Sequence, residues 1–281
     1  MAAGCAVRVS DTGWPRKRKD AAEEDAAQIM PEHKTIVLLH GYLESIEVWD
    51  DFTDLLKPCV RVVAVDLPGH GISEVKGEVH TMEFLADTVH AALEQLGVEK
   101  CTVCGHSMGG YAALEFLRKY PEMAEGIILF HSVPFADTPE KKANRDREIE
   151  VVLAGKKDLL AAGTANSFAP ANRKRFANKI EELADQVFLT EDAGVLALLR
   201  GMELRRDNSP TLLASPAPQL FIFGRGDEFI PQEVAEEIAR NQPQAQVVWL
   251  ENSGHMGFVE EPKTSAEAIL GFISRNFGAG E

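Results

Sequence analysis

Ser107 sits in "TVCGHSMGGYAAL", where Gly105, Ser107 and Gly109 spell G-x-S-x-G as an apolar run gives way to a helical pattern. Small residues at that spacing let a backbone turn sharply and lift one side chain clear of a sheet. A serine hydroxyl is a weak nucleophile alone. It needs a base to take its proton, a carboxylate to orient that base, and N–H donors for the oxyanion that develops.

The sequence offers a residue for each role. His255 lies in "VVWLENSGHMGFVEEP", in a small-residue loop between a strand pattern and the last helical pattern. Asp227 lies in "LFIFGRGDEFIP" on a sharp turn after the preceding strand, with Glu228 as a weaker competitor. The order Ser107, Asp227, His255 is the chain order of one known triad type. For the oxyanion, Met108 follows the serine and Tyr42 follows the His40-Gly41 turn in "LLHGYLES", so their backbone N–H groups are the expected donors. The remaining histidines read otherwise: His33 in the segment before the first strand, His80 in a loop, His90 on a helix surface. His40, His106 and His131 fall at strand ends, where they can line a pocket. No two histidines have zinc-ligand spacing, so no metal is expected.

These residues need elements to hold them. Six apolar runs rich in β-branched residues recur from Thr35 onward: "TIVLLHG", "RVVAVDLPG", "CTVCGHS", "EGIILFHS", "PQLFIFGRGD" and "AQVVWLENSGH". Being mostly apolar on both faces, they predict a parallel sheet covered by helices on both sides. Each ends in Gly, Asp or His, and the carboxyl ends of such strands are where open α/β sheets bind ligands. Helical patterns lie between them, one running from a Thr81 N-cap to Gly97. From about Asp137 to Leu213 the rhythm breaks into helical patterns alone, which predicts a helical insertion over the strand ends. The expected organisation is a disordered extension over residues 1–29, a core over 30–136 and 209–281, and a helical cap over 137–208. Folding is expected to begin near Met30, itself a candidate natural start.

The bulk numbers bound the function. The chain has 281 residues, 45% of them hydrophobic, enough for one large domain. A net charge of −15 argues against nucleic acid or an anionic membrane as partner. No apolar run reaches the length of a membrane span, and the N-terminus lacks the apolar centre of a signal peptide. Cys101 and Cys104 form C-x-x-C within a strand, where alternation sends the two side chains to opposite faces. Buried thiols are therefore expected rather than a metal clip or redox pair. Nothing demands an oxidising compartment, and a cytoplasmic location is expected.

With "HGY", "DLPGHGIS", "GHSMGG", "GRGDEFIP" and "SGHMGFVEEP" in this order, the chain resembles the α/β-hydrolase family from Met30 to about Phe277. "HGYLESIEVW" and "FHSVPFADTPEKK" are similar to a bacterial subset whose substrates are generally unassigned. The resemblance implies an α/β-hydrolase fold, a mostly parallel sheet flanked by helices with an inserted cap, and "DLPGHGIS" as a structural turn. Many relatives start with an antiparallel hairpin; none is legible in residues 1–29, so those edge strands are expected to be missing. The expected activity is hydrolysis of a carboxylic ester, or a thioester, of a small to medium acyl substrate, with no cofactor. A carbon–carbon bond hydrolase or lyase of the same fold and a receptor-like member with little turnover are the alternatives. His40, Gly41, Leu43, His106, His131 and Phe135 are the expected substrate contacts. Phe168, Leu196 and Leu199 could join them, the leucines more as cap core. A monomer or homodimer is expected.

Overall fold

The six apolar runs become six parallel strands in the computed structural model, which describes residues 4–15 and 34–278. They are β2 (Thr35–Leu39), β3 (Arg61–Val65), β4 (Cys101–His106), β5 (Ala124–Phe130), β6 (Gln219–Gly224) and β7 (Gln246–Leu250). With β1 (Val9–Asp11) they form one sheet in the order β1-β3-β2-β4-β5-β6-β7. Only β1 runs antiparallel, pairing Val9 with Val65 and Asp11 with Val63. Strands β2 to β6 are almost wholly buried, which explains their unbroken apolar character.

Alternation divides their side chains between two cores. Val37, Leu39, Val103, Leu129 and Phe223 face α2 (Met82–Gln95), α3 (Met108–Lys119) and α9 (Gln232–Asn241). Ile36, Leu38, Ile128, Phe130 and Ile222 face α1 (Asp50–Leu56), α10 (Gly257–Glu260) and α11 (Pro262–Phe277). Cys101 belongs to the first core and Cys104 to the second. The two thiols are free, and burial pushes both well above the usual thiol range.

The N-terminal expectation is corrected. Residues 4–15 are part of the fold, so the sheet does carry an antiparallel edge strand. Three residues are too few to show a period, and what fixes them is distant in sequence. Arg61 pairs with Asp11 through two hydrogen bonds, Glu74 accepts from the Ala6 N–H, and Cys5 is fully buried. Met30 and His33 lie outside the described residues. His80 lies in a loop, yet it is fully buried, its Nδ1 3.1 Å from the Pro68 carbonyl oxygen.

Between β5 and β6 the chain forms helices only: α4 (Pro139–Leu153), α5 (Lys157–Gly163), α6 (Ala177–Leu189), α7 (Asp192–Glu203) and α8 (Ser209–Ala214), with two short 3₁₀ turns. Thr138 caps α4, accepting from the Lys141 N–H. At its root Asp137, buried, takes Arg145 and Arg205 together, while Arg205 Nε also donates to the Phe135 carbonyl. Among the described residues no helix is long and apolar enough to cross a membrane.

Candidate active site

The turn between β4 and α3 is bent as the glycine spacing predicts. Ser107 has φ 50° and ψ −115°, a conformation that costs a non-glycine residue about 1–3 kcal/mol. It is held there by its own N–H on the Phe130 carbonyl (3.0 Å) and by Ser132 Oγ, which donates to the Ser107 carbonyl at 2.7 Å. Helix α3 starts at Met108, so that N–H lacks a partner one turn earlier in the helix and points its dipole at the serine's side.

Asp227 and His255 come together from the ends of β6 and β7. Asp227 Oδ2 accepts from His255 Nδ1 at 2.8 Å, and Oδ1 accepts from the Phe229 and Ile230 N–H groups at 2.8 and 3.1 Å. Burial works against the Asp227 charge, but His255, His131 and these contacts outweigh it and hold the carboxyl well below the usual range. His255 is fixed at three more points. Its N–H donates to the Ser167 carbonyl (2.7 Å), its own carbonyl faces His106 Nε2 (2.9 Å), and the Phe229 ring packs 5.0 Å from its ring. With Nδ1 committed to Asp227, Nε2 is the free nitrogen.

A cavity of about 580 Å³ opens over these residues. Tyr42, Leu43, His106, Ser107, Met108, His131 and His255 line it from the sheet side, and Lys141, Arg145, Glu148, Leu159 and Leu183 from the insertion. His40, Gly41, Phe135 and Phe168 do not line it, which corrects their expected place, and Leu196 and Leu199 pack in the first core instead. His40 is fully buried and spends its ring on backbone, Nε2 accepting from Leu67 N–H at 3.0 Å. The Gly41 N–H is taken by Glu44, and Phe135 packs against the first core. Glu228 reaches the rim but pairs with Arg173, which removes it as a rival to Asp227.

His131 stands where three titratable groups crowd. Its Nδ1 is 3.2 Å from Asp227 Oδ2, in poor alignment for a hydrogen bond, and its Nε2 accepts from the Gly257 N–H at 3.1 Å. The Nε2 lone pair being used, the proton sits on Nδ1. His131 and His255 thus both direct their Nδ1 protons toward Asp227 Oδ2, so the two imidazoles turn N–H groups rather than lone pairs toward the space a cation would need.

Two glutamates were missed in the sequence. Glu44 accepts from the Gly41 N–H at 2.6 Å and contacts His106 Nδ1 at 3.0 Å. Glu260 accepts from Gly254, Ala169 and Asn172, tying the His255 loop to the insertion. "HGYLES" and "VEEP" signalled charge inside small-residue loops, but neither spacing names a partner.

Fold and site together define a hydrolase: a seven-stranded, mainly parallel sheet with a strained serine, an Asp–His pair and a cavity at its strand ends. Residues 36–268 match the profile of the Alpha/beta hydrolase family, and the chain belongs to that family. It is similar to the pimeloyl-[acyl-carrier protein] methyl ester esterase of Yersinia pestis, 30% identical over 257 residues, which cover 86% of this chain and 93% of that one. Among solved structures it resembles a thermophilic esterase from Thermogutta terrifontis (TM-score 0.86, 29% identity, 97% of this chain and 94% of that one). An enol-lactonase from Burkholderia xenovorans shares the fold, with TM-score 0.83 at 19% identity over 97% and 98% of the two chains.

Proposed function

We propose that this protein cleaves a carboxylic ester of a small to medium acyl group through a Ser107–His255–Asp227 triad and an acyl-enzyme. The observation that carries this is the 2.8 Å Asp227–His255 hydrogen bond, which leaves His255 Nε2 free in the same cavity as the strained Ser107. The names of the relatives, esterases acting on a methyl ester or described as such, support the same reading.

In this reading His255 Nε2 takes the Ser107 proton as Oγ attacks the ester carbonyl. Asp227 holds the tautomer and stabilises the imidazolium that forms. The oxyanion is held by the Met108 and Tyr42 N–H groups. In the Tyr42 loop the neighbouring donors are spent, Gly41 on Glu44 and Leu43 on His70 Nε2 (3.0 Å), which leaves the Tyr42 N–H between them. His255 then gives its proton to the leaving alkoxide and activates water against the acyl-enzyme. The helical insertion acts as a cap, and its apolar side chains, Leu159, Leu160, Leu183 and Val187, suit an apolar acyl chain. The chemistry calls for no cofactor, and the reading keeps the protein in the cytoplasm.

The test is labelling with a fluorophosphonate followed by an ester panel. Wild type should label and Ser107→Ala should not; labelling that persists in the variant would remove Ser107 as nucleophile. A p-nitrophenyl ester series of increasing chain length, with a thioester and a carbon–carbon substrate alongside, should show turnover of oxygen esters. Turnover of the carbon–carbon substrate alone would replace this proposal with the lyase-like one.

A further inference from the structure

His106, the residue before the nucleophile, is fully buried, and both its ring nitrogens face acceptors. Nε2 lies 2.9 Å from the carbonyl oxygen of His255, an atom that can only accept. Nδ1 lies 3.0 Å from Glu44 Oε2. That oxygen also accepts the Gly41 N–H at 2.6 Å, a bond that favours its ionised form over a protonated donor. A neutral imidazole carries one proton and would turn a lone pair toward one of these oxygens, leaving a buried acceptor without its donor.

We propose that His106 is held as a buried imidazolium paired with Glu44, and that this pair positions the active site by tying three separate loops to one charge. The proposal rests on the triad reading for its effect on catalysis. Through Glu44 the pair holds the Gly41–Glu44 loop, whose Tyr42 lines the cavity. Through its own backbone His106 holds Ser107. Through Nε2 it holds the His255 loop. The oxyanion donor, the nucleophile and the base therefore depend on one proton that none of them carries.

The surroundings are consistent with a fixed cation. Trp49 and Phe258 present ring edges or faces at 6.3 and 5.0 Å centroid distance in T-shaped contacts. His255 lies 5.0 Å and His131 6.1 Å away, ring to ring; Asp227 acts from the β6 side and His40 on Glu44 from the β2 side. Burial alone lowers the affinity of His106 for its proton, but Glu44, the His255 carbonyl and Asp227 outweigh burial and hold it above the ordinary imidazole range. Burial likewise opposes the Glu44 charge, and His106 and Gly41 hold that carboxyl below its ordinary range. The pair is therefore favoured below the raised His106 value and lost as pH rises through it. Gly41 fits the arrangement: a methyl group there would stand 2.9 Å from both Glu44 Oε2 and His106 Nδ1.

The experiment is ¹⁵N NMR of histidine-labelled wild-type protein at neutral pH, with His106 assigned through its contacts to the Trp49 and Phe258 rings. Both His106 nitrogens should carry protons; a single protonated nitrogen overturns the proposal without any variant. The pH profile of p-nitrophenyl acetate hydrolysis supplies the functional half. Wild type should lose kcat on the alkaline side, and Glu44→Gln should move that limb to lower pH by about one unit or more. At neutral pH the variant should lose kcat by up to about 10²-fold, the scale of small misplacements, with KM little changed. An alkaline limb that stays in place in a folded Glu44→Gln protein also overturns it. Absence of ester turnover in wild type would instead count against the function reading, which fluorophosphonate labelling tests separately.

Discussion

Gly109 presses on Leu39: a methyl group on the Gly109 α-carbon would lie 2.2 Å from the Leu39 carbonyl oxygen. The first turn of α3 is thereby seated against the end of β2, and β2 leads directly into the Tyr42 loop. The second glycine of the motif thus sets the distance between the serine and the loop opposite it. Gly109→Ala should cost about 1–3 kcal/mol of stability, because backbone rather than a flexible side chain must move. Fluorophosphonate labelling of Ser107 should slow by about 10²-fold for the same reason. Urea unfolding and labelling rate measure the two; an unchanged rate would show that the elbow tolerates displacement.

His131 should make the protein acid-sensitive. Burial lowers its affinity for a proton, Asp227 offsets this in part, and the neighbouring His255 and His106 add to the lowering, to about 4. In the unfolded chain the same imidazole titrates near about 6.5. Its contribution is therefore fully present above that value and lost as pH falls through the folded value, a total of about 3 kcal/mol. Unfolding free energy measured at several pH values between neutral and about 4 should fall. His131→Asn should flatten that slope; parallel slopes in the two proteins would refute the assignment.

The root of the insertion depends on Asp137. Its carboxylate faces Arg145 and Arg205, with Arg205 also 3.8 Å over the Tyr111 ring. Asp137→Ala leaves the buried Arg205 and the half-buried Arg145 with one fewer anion and should destabilise by about 3–5 kcal/mol. Since Arg145 and Tyr111 line the cavity, substrate KM should rise as well. Chemical denaturation and ester kinetics check both, and a loss below about 0.5 kcal/mol would mean the arginines find water instead.

The six parallel strands and the Asp227–His255 contact were legible because local chemistry marks them. An apolar run ending in Gly, Asp or His says both "buried strand" and "strand end". The edge strand was not legible, since Val7 and Val9 alone make no pattern and Arg61, which secures Asp11, is 50 residues away. Glu44, Glu260 and Asp137 failed for a related reason. A carboxylate in a loop looks solvated until the chain brings His106, Ala169 or Arg205 to it. The polar loop around His80 gives no sign of its burial, yet α7 crosses it: the His80 N–H donates to the Ala197 carbonyl. Sequence periodicity reports what an element buries, whereas these residues are buried by elements distant in the chain.

Without Val9–Asp11, β3 would present a row of unpaired backbone N–H and C=O groups along one side of the sheet, a template onto which another molecule could add a strand. Three residues close that row, and their own outer side is too short to recruit a partner in turn. Arg8 and Asp11 flank it with charges anchored to Glu47 and Arg61. Among the described residues the sheet ends there in a blunt stub, so Val9–Asp11 removes the template β3 would otherwise offer as well as completing the sheet.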